Sequence, residues 1–491
     1  MRVFVLLSLV CSLSACSLTP TLHRPDLPVP ASFPSLAPTV AVGEASLPAS
    51  ERGWRTMFAD PQLQHLIALA LLNNRDLRLA TLNVQAAQAM SGIQQAARLP
   101  SFSLDTNHSR ERVLAANESA DASRQTQQQT GVSIGVSAFE LDLFGRVKAL
   151  SEAALARYLA SEQGRDAAQI TLIGAVAEAY YAQQLAQEQR QLAEHTLTDW
   201  QQSLNLARLL QKAKQNNGLD VAQAESQVAT AEADIQARQR ALIQANNALQ
   251  LLVGDTLPND LPPRLALQQP PLIAPLPSGL GSDLLLTRPD LRQAELALTA
   301  ANADIGAARA AFFPQISLTA SFGYASSSLG NLFDPARQVW RFAPQLSQPL
   351  FQGGRLRAEL RLAKVRKSEA VAQYERAIQI AFREVADALA GTATLDKQLQ
   401  AQSRAVASAQ RRVTLSALRY QAGLDGRLEL LDAQRQLYTA QQAELELRRD
   451  EIINSVALYK ALGGGLHERN TLPLAANRVT GVIPLTDHRE P

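Results

Sequence analysis

Apolar positions recur along this chain at two spacings, and the two occupy different segments. Every seventh residue is apolar through Val221, Val228, Ile235, Leu242 and Leu249, and again through Leu399, Val406, Val413 and Tyr420. Beyond a turn at Gly423 the pattern resumes at Leu431, Tyr438, Leu445, Ile452 and Tyr459. A seven-residue repeat held over several intervals predicts long helices packed along a left-handed seam. The proline-free run 143–216 would extend on the order of 100 Å as helix. Asn216-Asn217-Gly218 then turns the chain back through 220–253. Further helices are predicted over 60–98, ended by Pro100, and over 283–312, 354–421 and 427–462.

Period-two alternation occupies shorter stretches. Ile316, Leu318, Ala320, Phe322 and Tyr324 alternate with Gln315, Ser317, Thr319, Ser321 and Gly323. Val132, Ile134, Val136 and Ala138 alternate with Gly131, Ser133, Gly135 and Ser137, and Trp340, Phe342 and Leu346 with Arg341, Ala343 and Gln345. Phe102 and Leu104 open a weaker fourth run. Strands are therefore predicted over 101–111, 129–142, 315–326 and 338–350, each with one apolar and one polar face. Their length suits transmembrane strands. Four strands cannot close a barrel, and lipid forbids an open sheet edge. Strands in a membrane would have to be shared among chains, and three chains would supply 12. A small soluble β-sandwich between helical arms is the alternative these runs leave open.

The order of elements is written twice. Asn74-Arg75-Asp76-Leu77 returns as Arg288-Pro289-Asp290-Leu291, and Pro100-Ser101-Phe102-Ser103-Leu104 as Pro314-Gln315-Ile316-Ser317-Leu318, both at an offset of 214. Leu143-Phe144-Gly145-Arg146 matches Leu350-Phe351 with Gly353-Gly354-Arg355, and Leu252-Val253-Gly254 matches Ala461-Leu462-Gly463. The chain is accordingly divided into a leader 1–15, a Pro- and Ser-rich tether 16–50, a first repeat 51–257, a Pro-rich crossover 258–281, a second repeat 282–465 and a tail 466–491.

Composition narrows the chemistry. The 491 residues are 46% hydrophobic but only 5% aromatic, so Ala and Leu carry the apolar fraction, as in long packed helices rather than a thick globular core. Lys+Arg (47) and Asp+Glu (45) nearly cancel, which gives no electrostatic case for a nucleic-acid partner. Both cysteines, Cys11 and Cys16, lie in the leader region, so the body has no disulfide or thiolate metal site. No phosphate loop, nucleophile elbow or cofactor fingerprint occurs, and neither catalysis nor a cofactor or metal is expected.

The N-terminus is a short basic start, the apolar run 3–10 and Leu13-Ser14-Ala15-Cys16. The run is too short to span a bilayer as a helix and reads as a secretory signal. Leu-Ser-Ala-Cys resembles a bacterial lipobox, which implies cleavage before Cys16 and its acylation on sulfur and amine, as in a palmitoylated lipoprotein. Ser17 after the cysteine resembles outer-membrane sorting. An ordinary signal peptide cut near Ala15 is the alternative.

Several segments together resemble one family. Trp54-Arg55-Thr56-Met57-Phe58-Ala59-Asp60-Pro61-Gln62-Leu63 is similar to its opening motif, and Asp283-Leu284-Leu285-Leu286-Thr287-Arg288-Pro289-Asp290-Leu291 to its mid-chain motif. Pro349-Leu350-Phe351-Gln352-Gly353-Gly354, Arg419-Tyr420-Gln421-Ala422-Gly423, Leu431-Asp432-Ala433-Gln434-Arg435 and Tyr459-Lys460-Ala461-Leu462-Gly463 follow in the family's order. The chain resembles the outer-membrane efflux lipoproteins of the TolC superfamily, OprM/NodT-like branch. The resemblance implies a mainly α protein with a transmembrane β part: a homotrimeric 12-stranded β-barrel in the outer membrane continuing into a long periplasmic α-helical barrel. It implies passive efflux of drugs or other toxic compounds, with a periplasmic adaptor and an inner-membrane resistance-nodulation-division (RND) transporter as partners.

The resemblance also places a periplasmic gate at Arg419, Tyr420, Leu428, Asp432 and Arg435, with Asp220 and Asp425 as further partners. In it Arg and Tyr bond to neighbouring helices, Leu makes an apolar constriction and Asp an acidic ring. Three like charges would raise that ring's apparent pKa. The first hairpin turn, Asn216–Asp220, reads as about four residues shorter than Gln421–Glu429, a departure that bears on adaptor docking. Solvated residues on a coiled-coil surface are the plainer reading of these side chains. The same architecture could serve metal-ion efflux or protein secretion, and a periplasmic coiled-coil lipoprotein without a pore is the reading from another class.

Overall fold

The computed structural model describes residues 17–33, 49–115, 123–215, 217–258, 260–267, 269 and 282–469. The leader with Cys16, most of the crossover and the tail from 470 onward lie outside the described residues. The helices are α1 (Trp54–Met57), α2 (Pro61–Asn73), α3 (Arg75–Ala96), α4 (Arg146–Lys212), α5 (Gly218–Val253), α6 (Pro289–Ala310), α7 (Arg355–Gln421) and α8 (Arg427–Ala461). Strands β1 (Phe102–Ala115) and β2 (Ser123–Leu141) stand between α3 and α4, and β3 (Gln315–Ser326) and β4 (Gln338–Ser347) between α6 and α7. Helices α4 and α7 are each 67 residues long, so the seven-residue pattern describes unbroken helices. Among the described residues no helix is long and apolar enough to cross a membrane.

One predicted helix is two. The run expected over 60–98 is interrupted at Asn74, whose backbone is extended (φ −60°, ψ 129°). Its side-chain amide donates instead to the Leu252 carbonyl at 2.8 Å. Asn exchanges helical backbone bonds for such side-chain bonds readily, and the apolar periodicity on either side carries no trace of it. The start of the predicted helix at 283 is likewise a 3₁₀ turn, Ser282–Thr287, ahead of α6.

Among the described residues the strands form one antiparallel sheet in the order β1-β2-β3-β4. Its register stacks the apolar residues in rows: Phe102, Val136, Ala320 and Phe342 pair across the sheet, as do Leu104, Ile134, Phe322 and Trp340. The opposite face carries Ser103, Gly135, Ser321 and Arg341 in one row and Asp105, Ser133, Gly323 and a single apolar residue, Val339, in the next. A sheet so sided suits lipid on one face and water on the other. Among the described residues both outer edges, on β1 and β4, lack a strand partner.

Alternation in β2 does not run as the sequence suggests. The register shifts between Val136, opposite Ala320, and Phe139, opposite Leu318. One extra residue bulges there, with Ala138 at φ 50°, a left-handed conformation rare for a non-glycine. The bulge flips the phase. Phe139 and Leu141 rejoin the apolar face through Leu318 and Ile316, where Ala138 was expected to continue it.

Contacts group the chain into two units. The first comprises residues up to 31, 75–168 and 282–383. In it the extended segment 18–24 lies along α6: Arg309 Nη1 donates to the Leu18 carbonyl (3.2 Å), Asn302 Nδ2 to that of Pro20 (2.7 Å), and Arg24 pairs with Glu295. Gly306 permits this, since a Cβ there would come within 2.2 Å of Thr19 Oγ1. The second unit comprises 32–74, 169–281 and 384 onward, the division falling inside α4 and α7. Its centre holds Phe58, Leu63, Leu66, Ile67 and Tyr180, all buried. Asp60 Oδ1 caps α2 by accepting from Gln62 N (2.8 Å) and Leu63 N (3.4 Å), and Oδ2 accepts from Tyr180 Oη (2.7 Å) and Leu265 N (3.1 Å). Pro61 occupies the first helical position, where a missing N–H costs nothing. That accounts physically for the Asp-Pro of the opening motif.

Candidate functional site

The predicted gate residues sit at the turn between α7 and α8, within the second unit. Here the chain repeats itself bond for bond. In α7 the N–H groups of Ala422, Gly423 and Leu424 donate to the carbonyls of Leu418, Tyr420 and Arg419. At the end of α4, Ala213, Lys214 and Gln215 donate to Leu209, Gln211 and Leu210, an offset of 209 throughout. Both ends are Schellman closures with a left-handed residue, Gly423 at φ 69° and Lys214 at φ 57°. The connections, 213–217 and 422–426, are equal at five residues. The shorter first turn expected from sequence is therefore absent. Asn217 caps α5 and Gly218 opens it, and the last turn of α4 closes without a glycine.

Arg419 grips its own turn. Its Nε and Nη2 donate to the two Asp425 oxygens at 2.5 and 2.7 Å, across Gly423. The hydrogen bond from Arg419 holds the Asp425 carboxyl below its usual range. Tyr420 lies under a different arginine, with the Arg427 guanidinium carbon 5.9 Å from the ring centroid. Arg427 is buried and its Nη2 donates to both the carbonyl and Oγ of Ser203, each at 2.8 Å, which ties the start of α8 to α4. Leu428 is 64% exposed, as is Leu219 at the matching place on α5.

Asp432 is enclosed by arginine. Arg435 donates to it at 2.7 Å and Arg412 at 3.1 Å, while Arg412 also reaches Glu429 (2.7 Å). The Arg435 hydrogen bond, and the Arg412 charge after it, depress the Asp432 carboxyl. Within one chain this is opposite to the upward shift expected of an acidic ring, because two arginines bond the carboxylate directly. Asp220 sits in the first turn of α5, its N–H donating to Asn217 Oδ1 (3.0 Å), at the position Glu429 holds on α8. The residue matching Arg412 there is Ser203, so Asp220 has no equivalent arginine.

The structure thus brings Arg419 to Asp425 and Asp432 to Arg435, and leaves Leu428 projecting. Sequence reasoning missed Arg412 and Arg427. Arg412 was legible, since it stands one heptad before Arg419 on the same helix face. Arg427 was not, because its partner Ser203 is distant in sequence. Above the turn, a cleft of 520 Å³ is lined by Trp200, Asp234, Leu428, Asp432, Arg435 and Tyr438 among others. Trp200 meets Tyr438 edge-on at 6.2 Å, and Tyr438 donates to Asp234. Burial, then the bond to Asp234, pushes the Tyr438 hydroxyl up to about 12. The cleft's acids are already paired, and among the described residues no His, Cys, Asp and Glu group could hold a metal ion.

Comparison with known proteins covers nearly all of the chain. The model of the outer membrane efflux protein family matches residues 66–255 and again 280–464. The probable efflux pump outer membrane protein TtgC of Pseudomonas putida is 45% identical over 457 residues, 93% of this chain and 94% of that protein. The cation efflux system protein CusC of Escherichia coli O157:H7 is 43% identical, with 92% and 96% covered. Among solved structures, the open state of the Neisseria gonorrhoeae MtrE outer membrane channel is 39% identical with a TM-score of 0.84, over 93% of this chain and all of that one.

Proposed function

The chain belongs to the outer membrane efflux protein family, and on that premise we propose how it forms and gates its conduit. It resides in the outer membrane and is the channel through which an efflux pump discharges. The observation that carries the assembly is the sheet with an apolar face, a polar face and, among the described residues, two unpartnered edges. In lipid such edges must be closed. Three copies joined β4 to β1 supply 12 strands and leave no edge, with the polar Ser, Asp and Gly face inward.

The mature chain begins at Cys16, which carries the lipid; 16–50 is the tether, 51–257 and 282–465 are the two repeats joined by 258–281, and 466–491 is a periplasmic tail. The helical hairpin ends form the periplasmic mouth, held shut by Arg419, Tyr420, Leu428, Asp432 and Arg435 with Asp220 and Asp425. A periplasmic adaptor engages these ends, and an inner-membrane RND transporter supplies energy and selects the cargo of drugs or other toxic compounds. The support for a passive role is chemical: Arg419, Asp425, Asp432 and Arg435 are paired charges, Tyr420 lies under Arg427, and Leu428 is an exposed apolar side chain suited to closing a passage. Purified protein in planar bilayers tests the reading. Discrete conductance steps from a species with the mass of three chains are expected, and a folded protein that conducts nothing would overturn it.

A further inference from the structure

The apolar face of the sheet does not stay apolar to its end. Its rows climb from Leu141, Ile316 and Leu346 to Thr106, Val132, Tyr324 and Gln338. Along β3, Ile316 to Tyr324 covers about 27 Å of strand, or about 20 Å of height once the strand is tilted in a barrel. That nearly fills the apolar band of a membrane barrel. Tyr324 meets Phe333 edge-on at 5.8 Å, an aromatic pair of the kind that marks a membrane interface. Past this level β1 and β2 continue in unbroken register: His108 pairs with Thr130, Arg110 with Gln128 and Arg112 with Thr126.

The charges of this extension are sorted by face. Period two puts His108, Arg110 and Arg112 on the side of Leu104, and Ser109 and Glu111 on the side of Ser103. Arg110 and Arg112 are both exposed, and their cross-strand partners are uncharged. The acid between them, Glu111, stands on the opposite face. His108 Nδ1 is hydrogen-bonded to Oγ1 of the buried Thr130 at 2.8 Å, which fixes the ring at the foot of the arginine pair. Two guanidinium groups about 7 Å apart on one strand face repel each other. An anion lying over both removes that cost.

We propose that Arg110 and Arg112 bind the phosphate groups of the anionic glycolipid that forms the outer leaflet of the membrane. The inference rests on the proposed sidedness of the sheet, apolar face to lipid. Helices α3 and α4 leave β1 and β2 at one end, so the arginines, at the other, point away from the periplasm. They stand four and six residues beyond Thr106, about 10–15 Å higher in a tilted strand. That is the depth of phosphorylated sugar headgroups, and the long arginine stems can reach back towards the acyl boundary. Guanidinium forks match phosphate oxygens in pairs, which a lone point charge does not. One lipid thus meets both parts of the surface, its chains on the rows of Leu104 and Phe102 and its phosphates on the arginines. The contact also sets how deep the sheet sits, since neither arginine can be drawn into hydrocarbon without cost.

Purified full-length protein in detergent, equilibrated with bisphosphorylated lipid A and with the same lipid stripped of both phosphates, tests this by native mass spectrometry of the bound lipid. Each arginine near an anionic lipid surface contributes about fivefold, so the wild type should favour the phosphorylated form by about 25-fold. Arg110→Gln with Arg112→Gln should bring the ratio to about one, and Glu111→Gln, on the other face, should leave it unchanged. A wild type that takes both forms equally, or a double variant that keeps the preference, overturns the proposal. So does loss of the preference in millimolar inorganic phosphate, which marks a site for free anions. Trp340 tests the sidedness separately: it is 76% exposed in the row of Leu104, whereas Trp54 and Trp200 are buried. Its fluorescence should be quenched in vesicles of brominated phosphatidylcholine, and Trp340→Phe should lose the quenched component. Quenching without a phosphate preference overturns the glycolipid contact and leaves the sidedness standing. Absence of quenching overturns the sidedness itself.

Discussion

Arg419 spans the Gly423 turn to hold both oxygens of Asp425, so the charged grip at this helix end closes within one hairpin. Tyr420, its neighbour, is covered by Arg427, which is anchored on Ser203 of α4. The tip is therefore tied at two points, one local and one between hairpins, and the two can be released separately.

Releasing the first should affect passage more than stability. Arg419 and Asp425 are solvent-accessible, and exposed ion pairs contribute little to folding. The double variant Arg419→Ser with Tyr420→Phe should show raised single-channel conductance in planar bilayers with an unchanged thermal midpoint. Unaltered conductance would remove this pair from the gate.

Acidification should leave the tip intact over most of its range. Asp425 and Asp432 are depressed by their arginine partners, so the stability they contribute is present above the unfolded carboxylate value of 3.8 and is lost as pH falls through the lower folded values. Conductance of the closed state should be flat from neutral pH down to about 4 and rise only below it. A rise between about pH 7 and 5 would indicate instead that like charges from neighbouring copies dominate.

Releasing the second tie should affect stability. Arg427 is buried and its two bonds to Ser203 are charge-assisted. Arg427→Ala should destabilise the docking of α8 on α4 by about 1–3 kcal/mol. Hydrogen exchange at the amides around Ser203 should accelerate in step with a lowered unfolding midpoint. Wild-type exchange there would show that the bond holds nothing.

Asp60 serves four donors at once. Asp60→Ala removes a helix cap and strands buried donors, including the Tyr180 hydroxyl, and should cost about 2–5 kcal/mol. Tyr180→Phe removes one of those bonds and should cost less, about 0.5–1.5 kcal/mol. Urea midpoints of the purified variants give the ordering, and equal losses would contradict it.

Lys214 and Gly423 occupy the same left-handed position on the two hairpins. Lys214→Gly should stabilise the first tip by about 1 kcal/mol and Gly423→Ala should destabilise the second by a similar amount. Local hydrogen exchange at residues 210–215 and 419–424 should move in opposite directions, and movement in the same direction would show that the conformation carries no strain.

The sequence by itself determined what depends on local pattern. Heptads from Val221 to Leu249 and Leu431 to Tyr459 make helices, period-two runs such as Ile316–Tyr324 make strands, and motifs such as Asp60-Pro61 mark a helix start whose chemistry is complete within a few residues. The duplication was legible for the same reason, since equal offsets need no coordinates. Only tertiary structure decided which residues meet. Asn74 breaks a helix because Leu252 offers a carbonyl, and the bulge at Ala138 reverses which face Phe139 joins because β3 sets the register. Asp432 is depressed first by Arg435 on its own helix, and then by Arg412, which the hairpin folds back beside it from twenty residues away. Above all, matching repeats proved unequal: ten residues of α6 are buried but only Ser91 of its counterpart α3, since burial depends on neighbours that a single helix's own pattern does not contain.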